Sequence, residues 1–320
     1  MPSRAALAAL ALALASCGNF AATQPAPLTP RPAAPQGPAA LTAYWIGHAT
    51  VLVALKDRWI ITDPNFSERV GVVTKRRVAP GIDLEALPKI DWALISHAHL
   101  DHLDHPSLAR LGPVPVVAPP GVVPYLPKSP RPVVALAPWQ SFERDGMRIT
   151  AVPVRHGDGR YGVDELYHRN AHTGYVVEYA GLTVFFAGDT AYHPEYFKAI
   201  GRRFPRIDLA LIPVGPTGRR VLRPLMKGMH ADPAEALQIL ADTGARWMLP
   251  IHHSTFFREG AGELARIQAA LRASPLGERV VLLRVGESLA LEPRGPASQP
   301  VVRAAAASPA AASQPAAATR

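Results

Sequence analysis

Four metal-donor side chains, His97, His99, Asp101 and His102, fall within one short segment directly after the apolar run Trp92-Ala93-Leu94-Ile95-Ser96. Imidazole and carboxylate groups at that spacing are the donors a pair of borderline divalent cations requires, and a turn at the end of a strand is what brings them close. A chain built around this segment needs a sheet whose strand ends gather along one rim. Three further donors occupy the same kind of position: His156 after Ala151-Val152-Pro153-Val154, Asp189 after Phe185-Phe186-Ala187-Gly188, and His252 after Met248-Leu249-Pro250-Ile251. Singly, each reads as a loop or capping residue; their shared place after an apolar run makes them candidates for one site.

Short runs rich in Val, Ile, Trp and Phe at 44–46, 51–55, 59–62, 92–96, 114–118, 148–154, 174–179, 183–187, 209–213 and 247–251 read as strands. Many are apolar throughout, as strands covered on both faces are. Two helices stand out. Asp232-Pro233-Ala234-Glu235 sets an N-cap and a first-turn proline ahead of 236–241, and 261–273 carries a second amphipathic pattern. Strands in hairpin-like succession, then strands mixed with helices, imply an α/β domain of sheets covered by helices.

Both ends differ from this middle. Residues 5–15 are apolar, too short for a bilayer span but right for a signal core, and lead to Leu14-Ala15-Ser16-Cys17. Cys17 is the only cysteine, so no internal disulfide can form. The segment resembles the lipobox of bacterial lipoproteins, which implies a signal over 1–17, a lipid attached at Cys17, and a place in the cell envelope, at the outer membrane or periplasmic face. An ordinary cleaved signal, or an Ala/Leu-rich amino end with no role, is the alternative. Residues 18–40, rich in Pro and Ala, read as a tether and 294–320 as a disordered tail. That leaves 41–293 as one domain with a substantial core. The formal charge of +9 is scattered and reads as a solvated surface. No pattern of a nucleic-acid-binding module occurs, so no nucleic-acid partner is expected.

The motif His97-x-His99-x-Asp101-His102 resembles the signature of the metallo-β-lactamase superfamily, with His156, Gly188-Asp189-Thr190 and Ile251-His252 in the order of its other ligand motifs. Ile46-Gly47-His48-Ala49-Thr50, Thr62-Asp63-Pro64, His230-x-Asp232-Pro233 and His252-x-x-Thr255-Phe256 are similar to the branch containing N-acyl-phosphatidylethanolamine phospholipase D, over about residues 41–291. The resemblance implies an αβ/βα sandwich of two mixed sheets flanked by helices. It also implies one metal on His97, His99 and His156, a second on Asp101, His102 and His252, and Asp189 bridging them. Zinc is the default for such donors, and iron or manganese suits the same set.

Two such ions activate water near neutral pH. Asp101 and His230 are the implied catalytic residues, His230 orienting substrate or protonating a leaving oxygen, or else bonded structurally beside the ligands. The expected activity is a phosphodiesterase of phospholipase D type on a phospholipid-like substrate, at a membrane reached through the lipid anchor. A lactonase or other acyl hydrolase and a non-catalytic metal-binding envelope lipoprotein are the alternatives. The absence of a cysteine ligand argues against antibiotic hydrolysis. His48 reads as holding a loop, Asp63 as partner to a ligand histidine or as a turn residue, and His253 as pointing away. The basic stretch 219–227 reads as a lipid head-group contact or a solvated loop.

Overall fold

Alternate residues of the apolar strands bury on opposite faces, and that alternation builds the layers. The computed structural model describes residues 23–29, 32–35, 40–71, 74–161, 164, 170–215, 228–256, 263–292 and 300–303. Cys17, the expected signal and the basic stretch 219–227 lie outside the described residues.

In chain order the strands are β1 (Leu41–Gly47), β2 (Thr50–Leu55), β3 (Arg58–Thr62), β4 (Arg69–Val70), β5 (Thr74–Lys75), β6 (Trp92–Leu94), β7 (Val116–Ala118), β8 (Val133–Ala135), β9 (Ser141–Arg144), β10 (Met147–Val152), β11 (Gly174–Tyr179), β12 (Leu182–Phe186), β13 (Leu209–Pro213), β14 (Trp247–Ile251), β15 (Ser288–Leu291) and β16 (Val301–Arg303). One sheet runs β16-β15-β1-β2-β3-β6-β7-β8, the other β14-β13-β12-β11-β10-β9, and β4 pairs with β5 alone. Each large sheet is mixed. The first is antiparallel from β16 to β3 and parallel from β3 to β8. The second is antiparallel from β9 to β12 and parallel from β12 to β14.

The inner faces meet in one core, where Trp45, Val51, Val53 and Ile60 of the first sheet pack with Ile149, Tyr175, Val184, Phe186 and Leu249 of the second. The outer faces carry the helices. Phe185, Ala210 and Met248 point away from that core onto α2 (Pro194–Arg203), α3 (Pro233–Thr243) and α4 (Glu263–Arg272), through Phe197, Ile200, Ile239, Leu240 and Ile267. Ile46, Leu52, Ile61 and Ile95 do the same on the first sheet, against Leu103, Val122 and Leu108 of α1 (His105–Arg110). Truncating a buried phenylalanine such as Phe197 in these layers to alanine would cost about 3–5 kcal/mol. The result is the expected αβ/βα sandwich.

The helix α3 forms as its sequence dictates. The Asp232 side chain accepts from the backbone of Ala234 and Glu235, Glu235 reaches back to the Asp232 backbone, and Gly244 closes the helix at φ 64°. Helices α1 and α2 are not among the two the sequence suggested.

Described residues of the two flanking stretches contact the fold. In the amino-terminal one Gln24 donates to Arg77 O (2.7 Å) and accepts from Ala79 (2.9 Å), Thr29 donates to Gly81 O (3.2 Å), and Ala26 is buried in the inner core. In the tail, Val301–Arg303 pairs antiparallel with β15. In each case an extended backbone satisfies donors and acceptors left over at a neighbouring segment, and composition carries no sign of that. Among the described residues, no helix is long and apolar enough to cross a membrane.

Candidate metal centre

The seven donors come from strand ends on one rim. The His97–His102 segment follows β6, His156 lies just past β10, Asp189 follows β12 and His252 follows β14, with Asp63 beside them after β3. A buried arginine braces the densest segment, Arg160 donating through one guanidinium nitrogen to Ala98 O (2.7 Å) and Leu103 O (2.9 Å). Gly188 sits at φ 61° where a Cβ would lie 2.5 Å from that of Ser96, so only glycine lets the turn carrying Asp189 approach the turn carrying His97.

The seven donors fall into two groups, and His48 and His230 lie within donor distance of the second. In one, His97 Nε2 and His156 Nε2 lie 3.0 and 3.2 Å from His99 Nδ1. In the other, His102 Nε2 and His252 Nε2 lie 3.6 and 3.5 Å from Asp101 Oδ2, and 3.2 and 3.1 Å from Asp189 Oδ2. Asp189 Oδ2 is also 3.9 Å from His97 Nε2 and 4.0 Å from His156 Nε2, so it stands between the groups.

These separations fit cations. Tetrahedral donors at about 2.0–2.1 Å from a zinc ion lie about 3.3–3.4 Å from one another. His156 Nδ1 donates to Met229 O (2.8 Å) and His252 Nδ1 to Gly215 O (2.7 Å), which leaves Nε2 of each ring as the nitrogen that faces the other donors. Among the described residues, His102 Nε2 and Asp189 Oδ1 are buried with no hydrogen-bond partner, a costly state for polar atoms unless a cation takes them up.

Electrostatics agree with geometry. Burial alone would push the Asp189 and Asp101 carboxyls up, but the surrounding histidines, His102 foremost, hold both well below the usual carboxylate range. For His102 and His252 burial opposes the charged form, yet the Asp189 and Asp101 carboxylates override it, holding His102 well above the ordinary histidine range and raising His252 to about 9. The same carboxylate charge would favour a divalent cation, which displaces those protons when it binds. Burial, then neighbouring histidines, push His97 far down, and burial brings His156 to about 3, which leaves both rings neutral and ready to ligate.

The residues left open by the sequence also find places. Asp63 is fully buried; Oδ2 accepts from His102 Nδ1 (2.6 Å) and from Ser96 Oγ (2.5 Å), and Ser96 Oγ in turn accepts from His97 Nδ1 (2.9 Å). His48 is buried at the β1–β2 turn with Nε2 2.9 Å from Asp101 Oδ2, a side-chain contact the sequence did not suggest. The His253 ring lies tilted against that of Trp45, 4.4 Å between centroids, and His253 belongs to none of the donor groups among the described residues. His230 Nδ1 lies 3.4 Å from Asp189 Oδ2, and its ring is 5.2 Å from those of His156 and His252.

Residues 58–253 match the model of the beta-lactamase superfamily domain. The chain is 32% identical over 234 residues to N-acyl-phosphatidylethanolamine-hydrolyzing phospholipase D 1 of Caenorhabditis elegans, an alignment covering 68% of this chain and 64% of that protein. It is 32% identical over 293 residues to a metal-dependent hydrolase of Cupriavidus taiwanensis, covering 84% of this chain and 94% of that one. A metallo hydrolase from the archaeon Ignicoccus hospitalis shares the fold with a TM-score of 0.61 at 20% identity, covering 79% of this chain and 99% of that chain.

Proposed function

Because this chain belongs to the metallo-β-lactamase superfamily of metal-dependent hydrolases, we propose that it is a binuclear phosphodiesterase of phospholipase D type acting on a phospholipid-like substrate. The observation that carries the two-ion reading is Asp189 Oδ2, within 3.1–3.2 Å of one pair of imidazoles and 3.9–4.0 Å of the other. His97, His99 and His156 would hold one ion, Asp101, His102 and His252 the other, and Asp189 both, with zinc favoured and iron or manganese also suited to these donors. Divalent ions bound there lower the pKa of water toward neutrality and offset negative charge developing on a phosphoryl oxygen.

The chain's own groups supply the rest. Asp101 offers a fixed carboxylate that accepts a hydrogen bond from the attacking water and so orients it. Burial pushes His230 down to about 4, so near neutral pH it is a neutral imidazole that positions a substrate oxygen by hydrogen bonding rather than by giving up a stored proton.

The diester preference rests on the likeness to the nematode phospholipase D, of which this chain spans 64%. Lipid attachment at Cys17 would put the site at the cell-envelope membrane. Feeding cells a labelled fatty acid tests that placement, and an unlabelled protein sinks it.

The activity test is to offer zinc-reconstituted protein N-acyl-phosphatidylethanolamine in micelles, bis(p-nitrophenyl) phosphate, a lactone and nitrocefin. Metal-dependent phosphatidate release and diester cleavage are expected. Turnover of the lactone alone would replace this reading with an acyl hydrolase, and no turnover with metal bound would leave a metal-binding protein.

A further inference from the structure

We infer that His48 is a positioning residue: its imidazole fixes the carboxylate of Asp101 and, with its backbone, the ring of His252, so that the β1–β2 turn sets the geometry of the second cation group. The inference rests on the two-cation reading of those ligands and not on the substrate class.

His48 occupies a left-handed backbone conformation, φ 55°, at the tight turn between β1 and β2. Histidine is among the residues that adopt this conformation more often than most, but glycine or asparagine makes the same turn as readily. The imidazole is therefore not what the turn requires. It is what the neighbouring ligands receive. His48 is 1% exposed, and its Nε2 donates to Asp101 Oδ2 at 2.9 Å. Its ring lies 4.0 Å from that of His252, and its backbone oxygen accepts from His252 N at 3.0 Å. His252 is itself at φ 63°. Two left-handed residues, one from each sheet, thus hold each other in register across the site, as strained positions at functional sites do.

Asp101 is gripped at its other end too. Asn65 Nδ2 donates to Asp101 O (3.0 Å), and the buried Arg76 donates to Asn65 O (2.6 Å). The Arg76 guanidinium also lies 4.5 Å over Phe256, whose ring stands edge-on to His48 at 5.0 Å. Side chain and backbone of one ligand are therefore fixed by two arms that converge on one arginine.

Two substitutions separate this role from a merely structural one. Glutamine at 48 can bring an amide N–H to the place of Nε2, whereas asparagine suits the left-handed turn but is too short to reach Asp101. Zinc and cobalt affinities of the purified chain are read by chelator competition, with the cobalt absorption band reporting the ligand field. We expect His48→Asn to weaken the ion held by Asp101, His102 and His252 by about 10–100-fold, the usual effect of losing a group that orients a ligand, and His48→Gln to recover most of it. Asparagine binding metal as well as glutamine, or both matching the wild type, would overturn the inference.

Should either variant fail to fold, 15N-histidine NMR of the wild type decides the same point, with or without metal. A slowly exchanging proton on His48 Nε2 is expected, and an unprotonated Nε2 would overturn the contact. A chain that binds no divalent ion sinks the two-cation reading instead, and the NMR result still stands apart from it.

Discussion

A single buried carboxylate decides where two protons sit. Asp63 accepts from His102 Nδ1 directly and from His97 Nδ1 through the Ser96 hydroxyl, so one residue turns an imidazole lone pair toward each of the two donor groups. Carboxylates behind ligating histidines typically account for about 10–100-fold in metal affinity. Asp63→Asn keeps the volume but replaces one accepting oxygen with a donor, so affinity for both ions should fall by about that factor, measured by chelator competition. Unchanged affinity at both sites would refute the relay. The seven candidate donors that the structure gathers on one rim were legible because ligand chemistry restricts such donors to His and Asp at strand ends. Asp63 and His48 were less so: a turn before Pro64 and a loop after β1 explain those residues equally well in sequence, and only the folding of β3 and β1 against the β6 end brings them to His102 and Asp101.

Period-two and all-apolar runs revealed most strands of both sheets, because strands buried on two faces cannot hide their hydrophobicity. Short or exposed ones escaped, such as β9, which has one half-buried residue and otherwise exposed ones. Helix α2 had its signals, Pro194 in its first turn and Phe197 and Ile200 three apart, but the mean polarity of its other face masked them. The six-residue α1 is too short for periodicity and announces itself only by the Asp104 cap and Pro106. What the elements do for the site is deliver strand ends to within bonding distance, and Gly188 shows how little slack there is. In Gly188→Ala the added methyl meets Ser96 and the left-handed backbone is strained, so we expect a loss of about 2–4 kcal/mol in stability together with weakened metal binding, read by thermal unfolding and chelator competition. Wild-type stability and affinity in this variant would mean that the two turns are not tightly apposed.

The whole molecule places the donors where two mixed sheets meet, between an apolar core on one side and solvent on the other. This arrangement sets two opposing influences on the histidines: burial lowers His97 and His156, while the carboxylates of Asp189 and Asp101 raise His102 and His252. The amino-terminal arm belongs to this body, since residues 24–29 pair with 77–83, the stretch next to Arg76 and its brace on Asn65. Experiments on the folded unit should retain it. The central claim is that two cations share Asp189. The direct measurement is metal per chain by plasma mass spectrometry after zinc reconstitution and dialysis, on the wild type beside Asp189→Ala. About two ions in the wild type and fewer than one in the variant are expected. Two ions held at unchanged affinity without Asp189, or none in the wild type, would contradict it.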